Sequence, residues 1–463
     1  MRIMMVNGKL ILKKVLFSQS IFLSTGIMVI GLVLSKSLGF LREIFVAKIF
    51  GVSYLCDAYL IAILFPISIM GAISQAIGVS LIPIFSKKDF NIYYLYLLII
   101  SFLSFLISFI VYLSPSIVIN ILGQGFPFDV KEISKFLLKN MAPAIFFIGV
   151  SGFFNAFSYV NKNYLFPALS GILYNLSLIF GLTVLYKNFN LLGLSWGVNI
   201  ASFLFTLLPI LFFFRKRPIE KDLNIFRVFS ETKILFLSFL PYLLVSSLSQ
   251  INVMIDKMIA SFLSEGSISA LNFAYKIVET PISIFGFALA TVLMPFFSEK
   301  AYNGEKEKIV ETLNKSLSFL FYLIIPIIII FLSASETIVK IVYFRGAFDE
   351  KALFMTKESL IFYSLGLFAY CSNLILLRVY WSINRIKIPI IVSIFALFLN
   401  LILDLILGKF LSYKGLALAT SLSGIFRFAL LLIFLQVYFQ TNFQLAKNLL
   451  KPLLAIILKI KLW

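Results

Sequence analysis

Charged residues cluster in the first long apolar segment of the chain, in sequence that otherwise has the composition of a membrane span. The ionisable residues of this segment are Lys36, Arg42, Glu43, Lys48 and Asp57. An unpaired charge facing lipid costs roughly 3 kcal/mol on insertion scales, so we expect these side chains to line a polar cavity inside a helix bundle. Lys36 and Glu43 share one helix face, with Arg42 beside it. Lysine and arginine in such a cavity would bind an anionic group such as a phosphate.

A second set of polar residues lies mostly near the end of the chain. Asn400 and Asp404 are four positions apart on one predicted helix face, and Thr420 follows one helix later. Asp256 occupies an earlier helix. Oxygen atoms are the ligands that hard cations prefer, and Na⁺ is such a cation. A hydrogen-bonded polar cluster or a proton-binding pair of carboxylates explains the same residues equally well.

The elements that position these residues are predicted to be membrane-spanning helices. Hydrophobic residues make up 61% of the 463 residues and charged residues 13%, and the mean hydropathy is +1.03. Apolar runs of about 20 residues recur, and each is long enough to cross a hydrocarbon core of roughly 30 Å. The sequence therefore predicts an all-α polytopic membrane protein with twelve spans. The start shows no cleavable-signal pattern, so we expect the first span to be an uncleaved anchor.

Motifs of the first half of the chain return in the second half. Phe65-Pro-Ile-Ser-Ile-Met-Gly71 returns as Thr280-Pro-Ile-Ser-Ile-Phe-Gly286, and Gly193-Leu-Ser-Trp-Gly197 corresponds to Gly415-Leu-Ala-Leu-Ala419. The repeat predicts two pseudo-symmetric six-helix lobes, a type of fold that commonly binds substrate between its lobes. The predicted boundaries are 1–222 for the N-terminal lobe, 223–443 for the C-terminal lobe, and 444–463 for an apolar tail. The tail either makes a partial thirteenth helix or lies in the membrane interface.

The distribution of basic residues predicts the orientation and the partners. The net charge is +20, and the connections on the side of the N-terminus hold more Lys and Arg than the opposite ones. Under the positive-inside rule, the N-terminus is therefore predicted to be cytoplasmic. The excess charge indicates topology and contact with anionic lipids. We expect no nucleic-acid partner, because no soluble basic domain is present, and we expect a monomer. With no His and two distant Cys, neither a zinc site nor a disulfide framework is predicted.

Motifs spread over residues 20 to about 440 resemble those of a known family. Ser35-Lys-Ser-Leu-Gly-Phe-Leu-Arg-Glu43 and Asp57-Ala-Tyr59 resemble the first-helix signature of the MurJ/MviN lipid II flippases. The segment from Asp256 to Lys276, with Glu279 and Pro281 after it, is similar to a later signature of that family, as is Arg378-Val-Tyr-Trp-Ser-Ile-Asn384. The family belongs to the multidrug/oligosaccharidyl-lipid/polysaccharide exporter superfamily. The resemblance implies a transporter, not an enzyme, that moves a polyprenyl-diphosphate-linked cell-wall precursor across the inner membrane of a bacterium.

The resemblance also implies which residues bind. For the diphosphate these are Lys36, Arg42 and Lys276, while Asp57 and Glu279 orient the cations or couple the lobes. Glu43 and Arg378 are further predicted substrate-binding residues. A sodium site of the family matches Asp256, Asn400, Asp404, Thr420 and the carbonyl of Leu416. No other cofactor is implied. Ion pairs that merely fix helix packing are the alternative for the charged residues.

Two departures from the family pattern leave the cargo open. The second helix of the family carries an Arg pair after its proline, whereas the stretch from Pro66 to Ala76 has no charge here, and Lys stands for Arg at positions 36 and 276. Lysine loses the bidentate geometry of arginine. Lipid II is the predicted substrate, and another polyprenyl-linked oligosaccharide is the alternative. A multidrug cation exporter would require acidic cavity residues, and a membrane glycosyltransferase would require a longer extracytoplasmic loop than any predicted here.

Overall fold

The computed structural model describes residues 21–86, 91–216 and 250–440, with the single positions 239, 243 and 248. The predicted all-α fold is confirmed, since no β-strand occurs among these residues. We number the helices α1 (Ile21–Phe50), α2 (Tyr54–Ala62), α3 (Met70–Ser86), α4 (Asn91–Leu113), α5 (Pro115–Leu122), α6 (Phe128–Val160), α7 (Leu165–Phe180), α8 (Tyr186–Lys216), α9 (Ser267–Pro281), α10 (Ala288–Tyr302), α11 (Lys306–Ser333), α12 (Ser335–Tyr343), α13 (Glu350–Ser364), α14 (Leu367–Ser382), α15 (Lys387–Leu411) and α16 (Tyr413–Phe439). Residues 250–260 form a further helical stretch, and π-helical turns continue α2, α7 and α9 at Leu64–Ile69, Gly181–Leu185 and Ile282–Phe287.

Many of these helices are long and apolar enough to cross a membrane. Within the described residues there are eight such segments, or nine if α13 and α14, which meet at a 47° bend, form one span together. The segment Leu165–Lys216 is one of the eight, although Asn190 breaks it into two of the predicted spans. The part of the predicted span 232–262 before residue 250 lies mostly outside the described residues, and the tail 444–463 lies wholly outside them. The count of twelve spans therefore stays a prediction.

The chain divides into two compact units, Met1–Ser261 and Phe262–Trp463. The predicted lobe boundary at residue 222 lies outside the described residues, so the six-helix lobes stay a prediction. In the first unit, α6 is largely buried and α3 crosses it closely. A Cβ on Gly152 of α6 would lie 2.0 Å from the carbonyl oxygen of Ser74, so only glycine permits this crossing.

An aromatic core holds the first unit together at one end of α6. It contains Tyr93, Phe153, Phe157 and Phe213, all buried. The rings of Phe157 and Phe213 pack edge to face with centroids 4.8 Å apart, and Tyr93 packs against Phe157 in the same manner. Such pairs contribute about 0.5–1.5 kcal/mol each beyond their area burial. The Phe-rich composition is therefore used in part to pack helices against each other.

In the second unit, α14 and α16 run parallel and are joined by side-chain hydrogen bonds. Asn373 Nδ2 donates to the carbonyl of Gly424 at 3.1 Å, and the Tyr380 hydroxyl donates to the carbonyl of Leu431 at 2.7 Å. The partners keep the same separation along the chain, which is the register of two parallel helices. This register fixes the rotation of α16 about its axis.

Each unit contains one tight helical hairpin of the same geometry. Asn190 turns the chain inside the range of α8, after its first four residues, with φ 50° and ψ −132°. Ser412 turns it between α15 and α16 with φ 55° and ψ −140°. A Cβ on Gly193 or on Gly415 would lie 2.1 Å from a carbonyl oxygen of the preceding helix. Matched positions of the two hairpins are 222 residues apart, so the repeat predicted from sequence is visible in the backbone.

Candidate functional site

The charged stretch of the first unit lies on α1, which packs against α7 through small residues. A Cβ on Gly31 would lie 2.5 Å from the Cβ of Ala168. Further along, Asn175 Nδ2 donates to the carbonyl oxygen of Ser35 at 3.1 Å and to its hydroxyl at 3.2 Å. Close approach through small residues, with a polar side chain bonded across it, is a common way to pack helices in membranes. The contact fixes the rotation of α1 and the faces on which its charges lie.

Arg42 and Glu43 form a partly buried ion pair near the end of α1. Arg42 Nη2 donates to Glu43 Oε1 at 2.5 Å, and Glu43 is 3% exposed. The phenol groups of Tyr59 and Tyr174 are close enough to interact electrostatically with the guanidinium. This contact holds the guanidinium of Arg42 beside the carboxylate of Glu43. Removing either side chain would leave the other charge uncompensated in apolar surroundings. Lys36 and Lys48 of the same helix are exposed.

Asp57 begins the next helix of the first unit and is 2% exposed. It lies in the first turn of α2, where the helix dipole favours a negative charge. Ser53 caps this turn, since its Oγ accepts a hydrogen bond from the backbone N–H of Cys56 at 3.3 Å. The local sequence therefore places a carboxylate at the N-terminus of a short buried helix.

Lys257 contacts the same helix, which the sequence did not predict. Its Nζ donates to the carbonyl oxygen of Leu60 at 3.1 Å. This carbonyl lies near the end of α2, where the π-helical turn Leu64–Ile69 follows. Irregular backbone of this kind leaves acceptors available to side chains. The only signal in the sequence was the position of Lys257 directly after Asp256.

Two further predicted cations lie in the second unit. Lys276 and Glu279 of α9 form an ion pair at 2.8 Å, one helical turn apart, and both side chains are partly buried. The guanidinium of Arg378 on α14 stacks on the ring of Trp381, 4.6 Å from its centroid. A cation on an aromatic face keeps its charge available to a second partner. The structure thus brings Lys276 and Glu279 together and holds Arg378 on its own aromatic support.

A polar cluster joins α15 and α16, and we call it the α15–α16 cluster. Its members are Asn400, Asp404, Leu416, Thr420 and Ser423. Asn400 Nδ2 donates to Asp404 Oδ2 at 2.7 Å, and Ser423 Oγ donates to Asn400 Oδ1 at 3.0 Å across the two helices. Thr420 Oγ1 donates to the carbonyl of Leu416 at 3.0 Å. Asp404 is 0% exposed. Ser423 was missed in the sequence, although its spacing from Leu416 and Thr420 puts it on their face of α16.

The donor set of the α15–α16 cluster fits a hard monovalent cation. It offers one carboxylate together with amide, hydroxyl and backbone carbonyl oxygens. Such a set of one acid with neutral oxygens is suited to a hard cation of low charge. Among the described residues no group of three or more His, Cys, Asp and Glu side chains is arranged to hold a metal ion. Asp256, the remaining predicted ligand, lies in the first unit, where its Oδ2 accepts from Asn252 Nδ2 at 3.5 Å. Its place in a cation site stays a prediction.

Helices long and apolar enough to cross a membrane, present in both units, define an integral membrane protein. The fold is similar to that of solved transporters. The structure of a multidrug resistance MATE family transporter of the MOP superfamily, in an inward-facing conformation, covers 89% of this chain with a TM-score of 0.72 at 12% identity, and 98% of that chain is covered. This likeness shows the fold.

The chain belongs to the lipid II flippase MurJ family, whose model matches residues 46–461. A probable lipid II flippase MurJ from Buchnera aphidicola subsp. Baizongia pistaciae is 32% identical over 427 residues, covering 86% of this chain and 80% of the relative. The corresponding protein of Thermotoga maritima is 29% identical over 87% of this chain and 83% of its own. The solved structure of a lipid II flippase MurJ in an inward closed conformation is 26% identical, with a TM-score of 0.80 over 93% of this chain and 91% of that one. The family resemblance predicted from the motifs is confirmed.

Proposed function

We propose that the protein is a flippase that moves lipid II, a polyprenyl-diphosphate-linked peptidoglycan precursor, from the inner to the outer leaflet by alternating access. Its relatives carry that name. The observation in this chain that best supports the proposal is the partly buried Arg42–Glu43 pair, because a charged pair inside an apolar helix is costly unless it has a use. A diphosphate is the kind of group that a guanidinium binds in bidentate fashion.

We propose that the diphosphate binds to basic side chains, two of which have carboxylate partners of their own. Arg42 has a fixed carboxylate partner in Glu43, and Lys276 has one in Glu279. Lys36 and Arg378 supply further positive charge, and Asp57 orients the cations of the first unit. Transport forms and breaks no covalent bond, so no residue is assigned a catalytic role and the protein is proposed not to be an enzyme.

A flippase for another polyprenyl-linked oligosaccharide is the second candidate, and one observation favours it. The stretch from Pro66 to Ala76 carries no charge, so the first unit offers fewer cations than the family pattern. A multidrug cation exporter is the weaker candidate. The proposed binding residues Lys36, Arg42 and Lys276 are basic, which disfavours a cationic cargo.

Ion coupling and orientation complete the proposal. Asp404, Asn400, Thr420 and the carbonyl of Leu416 would hold a sodium ion with Asp256, and the ion would supply energy for one conformational change. The protein is proposed to reside in the bacterial inner membrane as a monomer, with a cytoplasmic N-terminus and anionic lipids around its basic connections.

The proposal is tested with the full chain reconstituted into lipid vesicles. Fluorescent lipid II is placed in the membrane, and the fraction reached by a membrane-impermeant quencher is followed with time. We expect the wild-type protein to translocate lipid II, and we expect Arg42→Gln to slow this about tenfold or more, the value of one charge-assisted hydrogen bond. Lys48→Gln is the matched control, since Lys48 is exposed on the same helix.

The same vesicles separate the two candidate cargoes. A second polyprenyl-diphosphate glycan, with a headgroup that lacks the peptide, is measured beside lipid II. Faster translocation of lipid II supports the proposal. Faster translocation of the other glycan would instead show that a site without charge from Pro66 to Ala76 is suited to a different headgroup. Equal translocation rates with and without protein would refute the flippase function.

A further inference from the structure

Arg427 is a partly buried cation that none of the roles above uses. It lies near the middle of α16, about 20 Å from either end at 1.5 Å per residue, too far for its side chain to reach a membrane surface. Its Nε is buried and has no hydrogen-bond acceptor among the described residues, and no carboxylate in that part of the chain forms an ion pair with it. An ionisable side chain at this depth is costly, so a functional reason is expected.

The spacing along α16 puts Arg427 on the same face as the α15–α16 cluster. Leu416, Thr420, Ser423 and Arg427 follow one another at intervals of four, three and four, which is one stripe of a helix. Helical side chains tilt toward the N-terminus, so Arg427 leans toward Ser423. Seven residues separate Arg427 from Thr420, a rise of about 10 Å.

We propose that Arg427 sets the cation affinity of the α15–α16 cluster by placing a fixed positive charge on the same helix face. The cluster contains a single carboxylate, Asp404, and a bound cation would share its field with the guanidinium. Two like charges about 10 Å apart in a site of effective dielectric about 20 weaken binding roughly tenfold. Screening by salt is reduced there, because Asp404 is buried and Arg427 is partly buried. Arg427 does not bind the cation itself. Its charge weakens cation binding, and weaker binding favours release.

The other hairpin of the molecule supports this assignment independently. The position that matches Arg427 is Phe205 in α8, and the one that matches Asp404 is Leu182 in the π-helical turn after α7. At these matched positions, carboxylate and guanidinium are therefore present together in one hairpin and absent together from the other. A guanidinium needed only for helix packing would have no reason to accompany the carboxylate.

The inference rests on the proposed cation coupling and is tested by direct binding of Na⁺. Full-length protein in detergent is titrated with NaCl at constant ionic strength, with choline chloride as the balancing salt, and the Kd is measured by calorimetry. We expect Arg427→Met to lower the Kd for Na⁺ about tenfold, because the repulsion is removed. Arg427→Lys keeps the charge and is expected to bind as the wild type does. Arg427→Gln serves as a second neutral variant if the Met variant does not fold.

The outcomes distinguish this inference from the function on which it rests. If the wild type binds Na⁺ and Asp404→Asn does not, while both neutral variants bind with an unchanged or weaker Kd, the role of Arg427 is refuted and the cation site stands. If Na⁺ binds to none of the proteins, cation coupling and the role of Arg427 are refuted together. Translocation of lipid II by the wild type, measured in vesicles, tests the flippase function separately.

Discussion

The hairpins α7–α8 and α15–α16 share a backbone and differ in chemistry. Both turn at a residue with positive φ, and in both a glycine meets a carbonyl of the preceding helix at the same distance. The second hairpin carries polar residues on its facing surfaces, whereas the first carries apolar residues at the matching positions. The pairs are Leu178 with Asn400, Leu182 with Asp404, Val198 with Thr420, Ala201 with Ser423, and Phe205 with Arg427.

The difference shows that the hairpin needs no polar cluster in order to form. In the first unit, the hairpin forms with apolar side chains at the matching positions, and four of them, Leu178, Leu182, Val198 and Ala201, are almost fully buried. Replacing a buried polar network by apolar residues of similar size is often neutral or stabilising. The α15–α16 cluster therefore requires an explanation other than stability, and cation binding is the one that its oxygen atoms support.

The largest effect is expected when the chemistry of the second hairpin is moved into the first. Leu182→Asp places a single carboxylate in a site that is 2% exposed and lacks the amide that Asn400 offers to Asp404. We expect a loss of about 3 kcal/mol or more, seen as a much lower melting temperature in detergent. Val198→Thr is the mild control, because its hydroxyl can bond to the carbonyl of Leu194 as Thr420 does to Leu416. A stable Leu182→Asp protein would contradict the comparison.

An intermediate and equal effect is expected from the two hairpin glycines. Gly193→Ala and Gly415→Ala each bring a methyl group to 2.1 Å from a carbonyl oxygen, of Leu185 and Leu407 respectively. The helices must separate, at a cost of about 1–3 kcal/mol in each unit. Thermal unfolding of both variants measures this cost. A large difference between the two would show that the hairpins are not equivalent.

The sequence predicted much of this comparison, and the reasons for what it missed are physical. The repeat could be recognised in the sequence because close helix approach requires Gly193 and Gly415. The polar residues Asn400 and Asp404 could be recognised because their surroundings are apolar. Ser423 and Arg427 were missed, although they continue the spacing of Leu416 and Thr420 and could have been recognised from it. The pairing of Arg42 with Glu43 could not be predicted, because contact between adjacent side chains depends on rotamers that packing selects.

Contacts between distant segments were beyond the sequence for a different reason. Lys257 donates to the carbonyl of Leu60, nearly two hundred positions away, near the π-helical turn that follows α2. The local sequence does not specify which distant side chain meets such a carbonyl. The roles of Lys36, Asp57 and Arg378 in substrate binding stay predictions.

The smallest effect is expected from Ser423→Ala, which gives the second hairpin the residue of the first. The variant loses the hydrogen bond from Ser423 to Asn400 Oδ1 but keeps the helix contact. Such bonds in membrane proteins contribute about 0.6 kcal/mol on average, so the melting temperature should fall only slightly. Asn400 would then be held less firmly, and Na⁺ binding should weaken by a few fold at most. A loss of folding would show that the cluster is structural.

The most direct test of the central claim is the double variant Asn400→Leu/Asp404→Leu, which copies Leu178 and Leu182 of the first hairpin. Its melting temperature and its rate of lipid II translocation in vesicles, with and without a Na⁺ gradient, are measured together. The account predicts a melting temperature close to that of the wild type and no response of translocation to the gradient. A protein that unfolds, or one that keeps the full Na⁺ response of the wild type, would contradict it.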